Sequence, residues 1–124
     1  MPQKGIILFG HGARDPEWAG PMLRLQCAVQ ALDGQLRVEL AFLEFMQPSL
    51  EVAVAGLVEA GCGDITVVPV FLAQGGHLKR EIPLLIEGVR QRFPAAAIRM
   101  RQAVGESERV ISAIAASVFD IETE

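Results

Sequence analysis

The stretch ITVVPVFLAQGGHLKREIP, residues 65–83, decides how this chain is read. Ile65 to Leu72 is an apolar, β-branched run, short enough for a buried strand. The paired glycines Gly75 and Gly76 break it, and His77 follows. From Glu81 to Phe93 apolar residues return at helical spacing, at Ile82, Leu85, Val89 and Phe93. A strand buried on both faces that passes directly into a helix is the repeating unit of a parallel α/β sheet. Pro69 is the discordant residue: proline cannot donate to a ladder, so a lost hydrogen bond is expected there.

The same unit recurs along the chain. Gly5 to Phe9 is a short apolar run ended by Gly10. Asp15 and Pro16 then open a helix as N-cap and first residue. Its stripe is Trp18, Met22, Leu25, Val29 and Leu32, and Gly34 ends it. Leu36 to Phe45 (LRVELAFLEF) alternates at first, which predicts a strand with a more exposed face or edge. Pro48 and Ser49 open a helix with the stripe Leu50, Val54, Leu57 and Val58, closed at Gly61 and Gly63. Ala96 to Val104 (AAIRMRQAV) predicts a fourth strand. Glu106 to about Phe119 predicts a last helix, with Ile111, Ile114, Ala115 and Val118 as its stripe. The order β-α-β-α-β-α-β-α implies a three-layer α/β sandwich, a four-stranded parallel sheet flanked by helices, with right-handed crossovers.

Composition bounds the rest. With 124 residues the chain is expected to be one domain, 1–124, large enough for a real core. Apolar residues at 51% and charged residues at 21% argue for a globular protein over a disordered one. A net charge of −4 without a basic stripe gives no support to nucleic-acid binding. No apolar run nears the roughly 20 residues of a membrane span, and the start has no signal-peptide pattern. Cys27 and Cys62 have no paired spacing, which suits a reducing compartment. A cytosolic location is expected.

Both histidines of the chain stand beside glycine just after an apolar run: His11 in LFGHGARDP and His77 in QGGHLKR. Open parallel sheets bind ligands at the carboxyl ends of their strands, so both fall on the same rim, with Glu44 at the end of the second strand. An isolated histidine at a turn is ordinarily a polar surface residue, but two in matched glycine-flanked turns suggest a site. Gly12, Gly75 and Gly76 let backbone approach a bulky ligand closely. Two imidazoles and a carboxylate suit iron, cobalt, nickel or zinc, and leave coordination positions open. Arg14 can grip a carboxylate or phosphate as a fork, or stand exposed at a helix entrance. Lys79 and Arg80 sit where a helix dipole disfavours cations, a local conflict that hints at an anionic ligand.

In that order and spacing, ILFGHGARDP and AFLEFMQPSLEVAVAGLVEAGCGDITVVPVFLAQGGHLKREIP resemble the small sirohydrochlorin chelatases, the CbiX/SirB type of class II chelatase. The resemblance runs from about Gly5 to Leu85. Two positions depart from the family pattern: Ala13 stands for the usual serine, and Glu81 for the usual aspartate before Ile-Pro. The resemblance implies a chelatase-like, flavodoxin-like half-fold. It implies insertion of Co²⁺ or Fe²⁺ into sirohydrochlorin, towards cobalamin or siroheme. It assigns metal binding and catalysis to His11 and His77, with Glu44 as third ligand or proton acceptor. Gly12, Arg14, Gly75, Gly76, Lys79 and Arg80 would then meet the macrocycle and its carboxylates. The metal is a substrate, no tightly bound cofactor is implied, and chains of this length are expected to pair as homodimers. Competing readings are a non-catalytic metal or tetrapyrrole carrier and a histidine phosphatase-like phosphoryl transferase. A nucleotide binder is disfavoured because no glycine-rich phosphate loop is present.

Overall fold

The computed structural model describes residues 3 to 123. Four parallel strands form one sheet in the order β2-β1-β3-β4: β1 Gln3–Gly10, β2 Arg37–Phe42, β3 Cys62–Pro69 and β4 Ala97–Met100. Helices α1 Gly20–Leu32, α2 Leu50–Glu59 and α3 Gly76–Arg92 connect them, and α4 Glu108–Thr123 follows β4. As its alternation predicted, β2 is an edge strand.

The two faces of the sheet are unequally covered. On one, Ile7, Phe9, Ile65, Val67 and Ile98 meet Val54 and Leu57 of α2 and Ile82, Ile86 and Val89 of α3, all essentially out of solvent. On the other, Leu8, Val38, Leu40 and Phe42 pack with Met22 of α1. Burying each large aliphatic contributes about 1.5–3 kcal/mol, so the first face dominates stability. Among the described residues, α1 is the helix that packs on this second face.

Several boundaries differ from the sequence reading, each for a local reason. Asp15 does cap, accepting from the Glu17 amide at 3.0 Å, but it caps a 3-10 turn, Pro16–Ala19, before α1 begins. Trp18 and Leu32 accordingly stay exposed. The expected strand from Leu36 to Phe45 stops at Phe42, and Phe45 beyond it takes a positive φ of 67°. The expected strand from Ile65 to Leu72 lies three residues earlier, at Cys62–Pro69, because Gly61 (φ 96°) turns the chain straight from α2 into β3.

That shift resolves Pro69. The Val70 amide donates to the Phe9 carbonyl at 2.8 Å, so even-numbered amides face β1 and the Pro69 nitrogen faces β4. The β4 pairing stops at Val67↔Met100, with the Arg101 amide on the Val67 carbonyl; the next bond in that register would need an N–H at Pro69, so the ladder ends where the lost bond was expected.

The third helix begins at Gly76, five residues before the expected Glu81, and carries Pro83 inside it. Its buried stripe is Ile82, Ile86 and Val89, with Leu85 turned outward. The fourth strand is four residues long rather than reaching Val104. The largest correction concerns α4. Its expected core stripe, Ile111, Ile114, Ala115 and Val118, is exposed along its length.

Cysteine reactivity tests the layering. Cys27 is exposed on α1, whereas Cys62 is buried at the start of β3 and burial pushes its thiol pKa up. The thiolate is the nucleophile, so native protein should take up iodoacetamide at Cys27 and spare Cys62 until denatured. Mass spectrometry of the alkylated chain checks this, and rapid native labelling of Cys62 would contradict the packing.

Candidate metal and tetrapyrrole site

The chain runs from β1 leftward to β2 and then rightward to β3, so the sheet reverses direction beside β1. Such a reversal opens a crevice at the carboxyl edge, where parallel sheets bind ligands. His11 follows β1, Glu44 follows β2, and the loop leading to His77 follows β3.

His11 and Glu44 meet there. His11 Nε2 lies 3.0 Å from Glu44 Oε1, with both side chains about half exposed. Backbone bonds past the strand ends hold the pair: the Leu43 amide donates to the Gly10 carbonyl at 2.9 Å, and the Glu44 amide to the His11 carbonyl at 3.1 Å. Gly12 makes this approach possible. It has φ 91°, and a Cβ there would lie 1.9 Å from the Glu44 carbonyl oxygen. Beneath the imidazole lies Phe71, edge-on with ring centroids 6.3 Å apart, itself packed at 6.3 Å against Phe9. The Phe71 carbonyl accepts from the Gly105 amide at 2.9 Å, which ties the β3 loop to the segment after β4.

His77 stands apart from that pair. It lies in the first turn of α3, largely exposed, with Nε2 2.7 Å from Glu81 Oε2 one turn along. Among the described residues no group of three or more His, Cys, Asp or Glu side chains gathers to hold a metal ion. One copy of the chain thus unites His11 with Glu44, while His77 has Glu81 for its partner.

The remaining expected residues divide similarly. The Arg14 guanidinium stacks 4.8 Å over the Phe45 ring, a cation–π contact that fixes the loop after β2 against the one after β1. Gly75 is the N-cap of α3 and Gly76 its first residue; neither has a neighbour where a Cβ would project, so the surface there is open. Lys79 and Arg80 are exposed in the first turns of α3. Lys79 lines a cleft of about 290 Å³ with Gln74, Arg101, Gln102 and Glu106.

Sequence reasoning missed two of these participants. Glu81 was legible from its i,i+4 spacing to His77, but only once the helix is known to start at Gly76. Arg101 was hidden inside an overlong strand. Phe71, expected inside the third strand, lies past its end as the floor under His11.

The comparisons with known proteins agree with this architecture. The CbiX family model matches residues 5–121. The sirohydrochlorin cobaltochelatase of Priestia megaterium is 29% identical over 108 residues, 87% of this chain and 35% of that protein. The enzyme of the same name from Methanopyrus kandleri is 37% identical over 81 residues, 65% of this chain and 57% of that protein. The chain thus spans between about a third and three-fifths of these relatives' length.

Among solved structures, the cobalamin (vitamin B12) biosynthesis CbiX protein of Marinobacter aquaeolei VT8 superposes with a TM-score of 0.85 at 30% identity, covering 98% of this chain and 99% of that one. The sirohydrochlorin chelatase SirB of Bacillus subtilis subspecies spizizenii, in complex with cobalt, gives 0.82 at 28% identity, covering 96% of this chain and 51% of that one. SirB with Fe³⁺ gives 0.81 at 28% identity, covering 96% and 47%.

The Gly12 contact yields a prediction. Gly12→Ala adds a methyl group against a backbone carbonyl at a positive φ, so it should destabilise the fold by roughly 2–4 kcal/mol. Urea unfolding checks this, and a change within ~0.5 kcal/mol would mean that the two loops do not approach as described. With a parallel sheet that reverses beside β1, a histidine–carboxylate pair at that reversal, and a family match across residues 5–121, the chain belongs to the CbiX family.

Proposed function

We propose that this chain is a sirohydrochlorin chelatase, inserting a divalent metal ion, Co²⁺ or Fe²⁺, into sirohydrochlorin in cobalamin or siroheme biosynthesis. The carrying observation is the His11–Glu44 pair at the reversal of a CbiX-type sheet. The names of the matched relatives and the cobalt- and iron-bound SirB structures support the same reading. The metal ion is substrate, and no resident cofactor is invoked.

The geometry suits the chemistry. Metallation must strip water from the ion and remove two protons from the pyrrole nitrogens. An ionised Glu44 can only accept, so beside it a neutral imidazole carries its hydrogen on His11 Nε2 and keeps its lone pair on Nδ1. That lone pair can bind the ion or take a proton, and Glu44 then stabilises the imidazolium. Glu44 in this role orients His11 and moves protons. The His77–Glu81 pair sets a second imidazole nitrogen 2.7 Å from a carboxylate, an ion-pair contact when that imidazole is protonated. Few, exposed donors hold an ion loosely enough to release it to the macrocycle. Arg14, Lys79 and Arg80 would meet the carboxylates on the macrocycle rim by charge-assisted hydrogen bonds. Gly12, Gly75 and Gly76 would keep the approach open.

The chain would act as a homodimer in the cytosol. SirB carries about twice this length, so a second copy would supply what SirB has in one chain. No helix among the described residues is long and apolar enough to cross a membrane.

Anaerobic incubation with sirohydrochlorin and each divalent metal, followed by absorbance, tests the activity. The wild-type chain should turn over with cobalt or iron. Stoichiometric metal binding without turnover would favour a carrier. His11→Ala and His77→Ala should each lower kcat by about 10²-fold or more with circular dichroism unchanged. Glu44→Gln, which keeps an acceptor but loses the charge, should lose roughly 10–100-fold. Near-normal turnover in His77→Ala would remove that residue from the mechanism.

A further inference from the structure

Phe45 is held against its own preferences. It is the one non-glycine residue with a positive φ, 67°, among the described residues. That backbone region is unfavourable for a bulky side chain, and such strain gathers at functional sites. Packing recovers nothing here, since Phe45 is 56% exposed and belongs to neither core cluster. Yet core lies within reach on both sides: Leu43 packs on the α2–α3 cluster and Met46 on the α1 cluster. The loop after β2 thus turns Leu43 and Met46 inward and stands one aromatic ring out in solvent.

The histidine–carboxylate pair fixes where that ring stands. Phe45 directly follows Glu44, whose amide donates to the His11 carbonyl at 3.1 Å and whose carboxylate lies 3.0 Å from His11 Nε2. Arg14, three residues beyond His11, holds its guanidinium 4.8 Å over the Phe45 ring. Arg14 is itself exposed and forms no ion pair among the described residues. With the cation over one face, the exposure of the ring falls on its other face and its edge. A guanidinium held over a ring keeps N–H donors at its periphery. The result is a flat apolar surface bordered by an unpaired cation, next to His11 and Glu44.

We propose that the free face of Phe45 is the platform on which the macrocycle stacks during metal transfer, with Arg14 taking one of its rim carboxylates. The inference rests on the chelatase reading above and adds the residue that sets the plane of the macrocycle. An extended π system gains from an aromatic face both by stacking and by the apolar area removed from water. The strained backbone then has a use: it holds the ring out before the ligand arrives, so little ordering is left to be done on binding. A bare metal ion would have no need of the ring, and a neutral apolar ligand no need of the cation. Together they select a planar, acidic ligand.

The test uses the full chain, metal-free sirohydrochlorin under anaerobic conditions for binding, and added Co²⁺ for turnover. Phe45→Asn removes the ring but installs a side chain that tolerates this φ, so the urea midpoint should not fall. The Kd for metal-free sirohydrochlorin and the KM should each rise about tenfold, with a much smaller change in kcat. Phe45→Tyr keeps the ring face and should bring both values to within about threefold of wild type. Wild-type Kd and KM in Phe45→Asn, where the unaltered chain turns over normally, overturn the platform and leave the chelatase reading standing. A loss in Phe45→Tyr as large as in Phe45→Asn also overturns it. So does a loss of affinity that follows a lowered urea midpoint, which marks Phe45 as a brace for the Glu44 loop. An unaltered chain that neither binds nor metallates sirohydrochlorin overturns both readings.

Discussion

The site depends on two backbone hydrogen bonds that carry the β1–β2 pairing beyond the end of the sheet. The ladder closes at Gly10↔Phe42, yet Leu43 still donates to Gly10 and Glu44 to His11. Side chains on separate loops usually drift with their loops. Here each shares a backbone bond with the other, so the imidazole and carboxylate inherit the rigidity of the strands. Gly12 is the condition for this, since any side chain would occupy the space taken by the Glu44 carbonyl. Arg14 on Phe45 and Phe71 beneath His11 then brace the pair from either side.

The same economy governs the sheet. β1 and β3 are the interior strands, and their inward residues on the α2–α3 face are almost wholly buried. Proline is usually harmful in an interior strand. Pro69 is tolerated because it is the last residue of β3 and faces β4, so its missing donor only ends that pairing after Val67↔Met100. Ending β4 early has a second effect. It frees Arg101 to Ser107 for the bonded turn that directs α4 away from the sheet.

Much of this was legible in the sequence, and the failures have physical causes. Apolar runs and helical stripes give the order of elements because burial of each run is a local demand. The edge position of β2 was readable from Arg37 and Glu39 alternating with Val38 and Leu40. Boundaries failed where backbone conformation overrides composition. Gly61 closes α2 as expected but turns the chain straight into β3, and Phe71, expected in that strand, is loop core. The start of α3 was obscured because Gly75 caps it without a side-chain bond, so no capping signature marks the place. Glu81, noted only as a departure from pattern, thereby lost its connection to His77. The stripe on α4 was correctly identified, but what covers a stripe is a long-range property that no local pattern encodes.

The two histidines share one wiring and differ in how firmly they are held. Each has a carboxylate oxygen within 3.0 Å of Nε2. His11 is half exposed, bonded through its own backbone to Glu44 and seated on Phe71. His77 is 82% exposed on the surface of a helix turn, held by one i,i+4 contact worth only tenths of a kcal/mol. Rigid placement suits the group against which a reacting centre must be aligned, because misplacement there is felt directly in the barrier. Loose placement suits a group that must follow an ion from water to the macrocycle and then let go. Under the proposed function, the unequal setting of the imidazoles would be a division of labour, with His11–Glu44 as the fixed end of the transfer and His77–Glu81 as the moving one.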